Sequence, residues 1–405
     1  MKLTDQEKAM LDGQGGEALR MFMSMLTTLG KIYDASHMIP IQSAHASGLS
    51  VRTLGEAGTQ WAEDLARNGA RVAVPTSMNV IGIDRTRDLG FSREWTDRQI
   101  RIMRAYEAMG CYVTSSCVPY YQGFLPRFGE HIAWGESSAV VFVNSVLGAR
   151  NNREGGPSTL ASAITGRTPC FGMHLDENRK GDLVYRVRAD LDDLSDFGAL
   201  GAFAAAHVGS GIPVFDGVPQ PQIEKLVALC ASLASYGSVG MFHMVGVTPE
   251  APSLEAALGG KKVETITFGP AELEDYKAKM SSNTAREVDF VALGCPHCSL
   301  NQLAEIARLI GGRKVSGNVR LWVQTNVSVR GLAQQLGYVD IIEKAGGGVT
   351  QDLCVVLSRP EDLGFKSLAT NSAKMAFYAP GSNKIPTWYG NVERCIDAAV
   401  TGVWT

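Results

Sequence analysis

At 405 residues, with 45% hydrophobic and 20% charged side chains, the chain carries enough apolar material for several buried cores. Its net charge of −3 provides no field that would gather nucleic acid or an anionic membrane. No apolar run reaches the ~18 residues of a membrane span, and the opening "MKLTDQEKAMLDG" lacks the apolar centre of a secretory signal. Eight scattered cysteines read as reduced thiols rather than a disulfide framework, so a cytoplasmic protein is expected.

Helical and strand patterns alternate along the chain. "GEALRMFMSMLTTLGKIYDA" (16–35) has helical apolar spacing and is followed by a short strand, "MIPIQSA" (38–44). A helix over 53–69 then a strand "RVAVPT" (71–76) repeats the order, as does a helix over 95–110 then "CYVTSS" (111–116). Further strands are expected at "IPVFDG" (212–217), "SVGMFHMV" (238–245), "VETITFG" (263–269), "VDFVALG" (288–294) and "RLWVQTN" (320–326). Apolar strands interleaved with helices predict an α/β protein with parallel or mixed sheets covered on both faces. Turn-rich stretches near 191–198 and 246–253 divide it into units of roughly 1–190, 191–250 and 251–405.

"VDFVALGCPHCSL" (288–300) places Cys295 and Cys298 where a buried strand gives way to a helix. In α/β sheets this carboxyl edge is where ligands bind, and a helix N-terminus favours a thiolate. Three readings are open: a redox dithiol, half of a zinc site, or one anchor of a larger inorganic group. A thioredoxin-like unit is not otherwise visible, and no second close cysteine pair exists for zinc. Cys230 and Cys395 lie on apolar helix faces and read as core residues, with Cys111 and Cys170 structural. Cys117, at a Pro-marked turn in "CYVTSSCVPYY", and Cys354, beside the glycines of "GGGVTQDLCVVLS", sit like Cys295 at the ends of α/β units. Their convergence on one site is possible in such a fold.

Several loops are rich in small or polar groups that suit an anionic molecule. "SAHASGLS" (43–50) and "VPTSMN" (74–79) each follow a strand, and bring His45 and Asn79. "NSVLGARNNREGGPS" (144–158) concentrates Asn144, Arg150, Asn151, Arg153 and Glu154, and arginine forks match carboxylates. "ATNSAKMAFYAPG" (369–381) adds Asn371, Ser372 and Lys374.

The order "SAHASG…VPTSMN…SSCVPYY…NSVLGARNNREGGPS…LGCPH…QDLCVV…TNSAK" resembles the aconitase X family over essentially the whole chain. The resemblance implies a multi-domain, aconitase-like three-layer α/β/α architecture and a hydro-lyase. It implies an iron–sulfur cluster held by Cys117, Cys295 and Cys354, with no ligand role for Cys298. It also implies a large subunit whose active site is completed by a small swivelling-domain subunit. Gly48, Leu49, Ser50, Asn79 and Val80 would line the substrate region, with Ser372 opposite and Asn144 and Lys374 among the binding groups. Two substrates are associated with the family, cis-3-hydroxy-L-proline and mevalonate 5-phosphate. Phosphomevalonate-type sequences tend to have Asn-Pro where this chain has Asn79-Val80, and Val where Leu49 stands; the departure favours the hydroxyproline.

The expected reaction is removal of water from a β-hydroxy acid. Arg150 or Arg153 would clamp the carboxylate, while Ser50 and Asn79 orient the ring. The base would be His45 or a group on the small subunit. Two rivals stand beside this reading: a cluster-based redox or RNA-binding regulator, and a zinc hydro-lyase using His297 beside Cys295.

Overall fold

The computed structural model describes residues 1–405 and builds three parallel sheets plus one short antiparallel pair, Met38–Pro40 with Arg167–Pro169. A three-stranded parallel sheet runs Thr76–Met78, Ala44–Ala46, Ala133–Trp134. A four-stranded one runs His243–Met244, Pro213–Asp216, Leu183–Val187, Thr265–Phe268. The largest runs Gly348–Gln351, Arg320–Thr325, Phe290–Leu293, Leu368–Thr370, Thr387–Tyr389. The α/β class expected from the interleaved pattern is what the chain forms. No helix is long and apolar enough to cross a membrane.

The five-stranded sheet positions the site. Its chain starts at the central strand Phe290–Leu293, moves outward twice, then returns to add Leu368–Thr370 on the other side. Such a reversal opens a crevice at the carboxyl ends of the two strands that flank it. Cys295 follows one of those strands and Ser372 the other. The central strand is buried along its whole length, so its "FVAL" run is continuously apolar. The helix after it, Leu300–Ile310, buries Leu303, Ile306, Ala307 and Ile310 as one stripe. Ser299 starts that helix: its hydroxyl accepts the Gln302 N–H, and the Gln302 side chain accepts the Ser299 N–H at 2.9 Å.

Two expected strands are not formed as read: only Thr76 of "RVAVPT" enters a strand, and "CYVTSS" forms none. In "RVAVPT" the backbone turns away to pair singly, Val72 N–H with the Met109 carbonyl and Ala73 N–H with the Ala163 carbonyl. "CYVTSS" makes only an isolated bridge between Tyr112 and Ser77. "MIPIQSA" splits: Met38–Pro40 enters the antiparallel pair, and the next strand, Ala44–Ala46, begins a different sheet. Val72 and Val74 of the first stretch and Cys111 and Val113 of the second pack against cores without a neighbouring strand to extend the ladder.

Gly294 joins the central strand to the Cys295 loop at φ +93, where a Cβ would stand 2.1 Å from the Gln324 carbonyl oxygen. That oxygen is already taken by the Cys298 N–H at 2.9 Å, so it cannot retreat freely. Gly294→Ala is therefore expected to destabilise the chain by at least about 2 kcal/mol, read as a lower denaturation midpoint.

Candidate active site

Loops from two sheets meet at their carboxyl ends. From the five-stranded sheet come Cys295, Cys354, Ser372 and Lys374; from the three-stranded sheet come Gly48, Asn79 and Glu136, each just past a strand. The join between them is a parallel bridge of Ile81 with Leu353. Ile81 donates its N–H to the Asp352 carbonyl (3.0 Å) and its carbonyl accepts the Cys354 N–H (2.9 Å). Cys117 reaches the same place, its sulfur accepting the His297 backbone N–H at 3.3 Å.

The three thiols feel one another: Cys117 lies within electrostatic reach of Cys295, and Cys295 of Cys354. Burial pushes all three up, Cys295 to about 12, and nearby Glu136 adds to the effect while Lys374 opposes it. The net upward shift favours the protonated thiols at neutral pH. No three His, Cys, Asp or Glu side chains close to the spacing of a single ion. Three separate thiols, Cys117 buried and Cys295 and Cys354 half-buried, suit a polynuclear metal group, in which each sulfur binds its own metal atom.

Buried Glu136 and half-buried Lys374 form an ion pair beside the thiols. Glu136 caps the helix Ser137–Ser145 by accepting the Ala139 N–H (2.6 Å), and also accepts the Ser138 hydroxyl (2.8 Å). Burial alone would raise its carboxyl, yet Lys374 and these donors hold it below the ordinary value. Burial likewise works against the Lys374 ammonium, but Glu136 and the thiols hold it well above its usual range. Glu136 is absent from the sequence-based set of site residues. "AWGESSAVV" (133–141) has the same strand-to-polar-turn form as 43–50 and 74–79, which was the available signal.

Family models named Aconitase X first, second and third domain match residues 1–177, 181–278 and 288–401. The chain belongs to the aconitase X family. The crystal structure of Thermococcus kodakaraensis aconitase X (holo-form) superposes with a TM-score of 0.91 at 39% identity, covering 98% of this chain and 100% of that one. The phosphomevalonate dehydratase large subunit of Methanocaldococcus jannaschii is 41% identical over 98% of this chain and 99% of its own. The cis-3-hydroxy-L-proline dehydratase of Pseudomonas aeruginosa is 36% identical over 98% of this chain but only 69% of its own length. The chain is thus a hydro-lyase of aconitase X type with the extent of a large subunit.

Around this aconitase X site the remaining expected residues fall into three groups. Gly48 faces open space, with no atom within 4 Å of where a Cβ would stand, and its φ of +75 explains the glycine. Asn79 lies against His45, whose Nδ1 pairs with the Ser77 hydroxyl at 2.7 Å and whose Nε2 is buried without a partner. Burial lowers His45 to about 4, so its ring is neutral and a weak base at neutral pH. Arg153 is exposed and bound by the Val239 carbonyl at 3.2 Å, with no carboxylate partner, within reach of the Glu136 charge.

A second group is present but engaged. Ser50 caps the helix Val51–Arg67 through Thr53, and Ser372 caps Ala373–Tyr378 while its hydroxyl donates to the Cys295 carbonyl. All three Lys374 donors point at Glu136, Ser137 and Ser138, so it acts on the pocket through charge. Leu49 and Val80 turn their side chains into hydrophobic cores, leaving only backbone to face a ligand.

The third group is corrected. Asn144 uses both amide hydrogens on the Asn151 and Gly240 carbonyls, and its oxygen accepts from Asn151 and Arg179, so no capacity remains for substrate. Arg150 is held by Asp176, Glu250 and the Gly148 carbonyl, a pairing that neutralises its charge. His297 has both ring nitrogens occupied, by Ser116 and the Leu353 carbonyl, which removes it as a zinc ligand. Cys230 and Cys395, by contrast, lie in cores as their apolar helix faces imply, and Cys298 is core as well.

Removing one member of a buried pair strands the other's charge. Lys374→Met is expected to cost about 3–5 kcal/mol of stability. The double variant Glu136→Gln/Lys374→Met should recover much of it, which denaturation of the four chains of the cycle would measure.

Proposed function

We propose that this chain is the large subunit of a two-subunit iron–sulfur hydro-lyase that removes water from a small β-hydroxy carboxylate. The observation that carries the reading is the meeting of Cys117, Cys295 and Cys354 beside the Lys374–Glu136 pair. The three thiolates would hold the cluster, which when bound supplies the Lewis acidity that makes the substrate hydroxyl a better leaving group. Arg153, free of any carboxylate, binds the substrate carboxylate; Asn79 and the open Gly48 backbone orient the rest. Loss of the proton next to the carboxylate and of the hydroxyl leaves a double bond and one water. Because burial keeps His45 neutral and weakly basic, we assign the proton acceptor to the small partner subunit and an orienting role to His45.

Two substrates compete. The coextensive relative at 41% identity is a phosphomevalonate dehydratase large subunit, which favours mevalonate 5-phosphate. A local feature favours cis-3-hydroxy-L-proline: the Val80 N–H donates to the Asn79 side-chain oxygen at 2.8 Å, turning it from the ligand. Proline at this position, as phosphomevalonate-type sequences tend to have, lacks that N–H and would free the oxygen. The core-facing Val80 and Leu49 side chains themselves supply no contact for discrimination.

Anaerobic co-expression with the small subunit, followed by assay against both compounds, tests the reading. Mevalonate 5-phosphate is the expected substrate, preferred at least about 100-fold in kcat/KM. The reverse preference would assign the site to the hydroxyproline, and turnover of neither would overturn the proposed function.

A further inference from the structure

The three thiols belong to segments far apart in sequence, and one side chain that is not a thiol touches all three segments. His297 lies two residues beyond Cys295 and is 2% exposed. Its backbone N–H donates to the Cys117 sulfur at 3.3 Å. Its Nε2 stands 2.9 Å from the carbonyl of Leu353, the residue before Cys354. Its Nδ1 stands 3.3 Å from the hydroxyl of Ser116, the residue before Cys117.

The hydrogen positions follow from the partners. A carbonyl only accepts, so Nε2 carries the hydrogen; in a neutral ring Nδ1 then accepts from the Ser116 hydroxyl. The Ser116 oxygen in turn accepts the Val118 N–H at 3.2 Å, so both atoms of that hydroxyl are used. The ring therefore spans from the Cys117 turn to the Cys354 loop while its own backbone carries Cys295. Gln324 ties a neighbouring part of the site: its side chain donates to the Leu293 carbonyl and accepts the Val355 N–H. Those contacts join the Cys295 and Cys354 loops but do not include Cys117. Only His297 makes hydrogen bonds to the Cys117 segment and the Cys354 segment at once.

We propose that His297 is a positioning residue, not a ligand, that fixes the mutual placement of Cys117, Cys295 and Cys354 for the iron–sulfur group. This rests on the reading of those cysteines as its ligands. Groups that orient metal ligands from behind typically change retention by about 10–100-fold when removed. The His297 backbone N–H adds a second effect, since a hydrogen bond to sulfur persists and strengthens when Cys117 becomes a thiolate.

The test compares the full chain as wild type, His297→Leu, Ser116→Ala and Cys295→Ser, each reconstituted anaerobically with ferrous iron and sulfide. Iron and sulfide per chain, visible circular dichroism and the rate of bleaching in air are read for each. His297→Leu is expected to bleach about 10–100-fold faster with an altered dichroism spectrum. Ser116→Ala, which removes only the Nδ1 partner, should shift both in the same direction by less. A role in general stability alone would lower the thermal midpoint but leave dichroism and bleaching of the folded protein unchanged, and that result would overturn the proposal. If His297→Leu does not fold, wild-type bleaching and dichroism in Ser116→Ala would overturn it equally. A wild-type chain that takes up no more iron and sulfide than Cys295→Ser would sink the cysteine assignment, and this inference with it.

Discussion

One short pairing joins the first and last parts of this chain: Ile81 N–H to the Asp352 carbonyl, and Cys354 N–H to the Ile81 carbonyl. It lies at the carboxyl ends of two different sheets, so it brings the Asn79 turn and the Cys354 loop onto one floor. The geometry is demanding, because Asp352 is fully buried with φ at +66. A residue other than glycine persists there only when its surroundings hold it. Arg85 grips both Asp352 carboxylate oxygens at 2.8 and 3.0 Å, and Asp84 accepts the Gln351 N–H at 2.9 Å. Loss of that clamp would let the Cys354 loop relax away from its partners.

Electrostatics sets the second constraint. The site gathers three thiols, one buried and two half-buried, with one ammonium that is already matched by Glu136. Desolvation therefore favours the protonated sulfurs, and a metal group held by them as thiolates would release protons on binding. The Lys374–Glu136 pair adds no net charge, but its ammonium outweighs its carboxylate at Cys295 and Cys354, whereas the carboxylate outweighs the ammonium at Cys117.

Much of this was legible in the sequence, and the failures have physical causes. Apolar runs such as Phe290–Leu293 and Leu321–Val323 announce buried parallel strands, and Cys295 and Cys354 stand visibly at strand ends. "RVAVPT" carries the same apolar content, but strand pairing depends on a neighbour that local sequence does not reveal. Arg150 and Asn144 look like substrate groups in the sequence because donors are visible there and their eventual acceptors are not. The fold supplies those acceptors from Asp176, Glu250, Gly240 and Asn151, all outside the reach of spacing rules. Glu136 was overlooked for the converse reason: its importance comes from Lys374, 238 residues away.

Iron X-ray absorption on the anaerobically purified chain, with iron and sulfide counted in single cysteine-to-serine variants, tests the central claim most directly. The account predicts iron–thiolate and iron–sulfide scattering that is lost in Cys117→Ser, Cys295→Ser and Cys354→Ser alike and retained in Cys298→Ser. Full iron and sulfide in Cys354→Ser, together with their loss in Cys298→Ser, would contradict it.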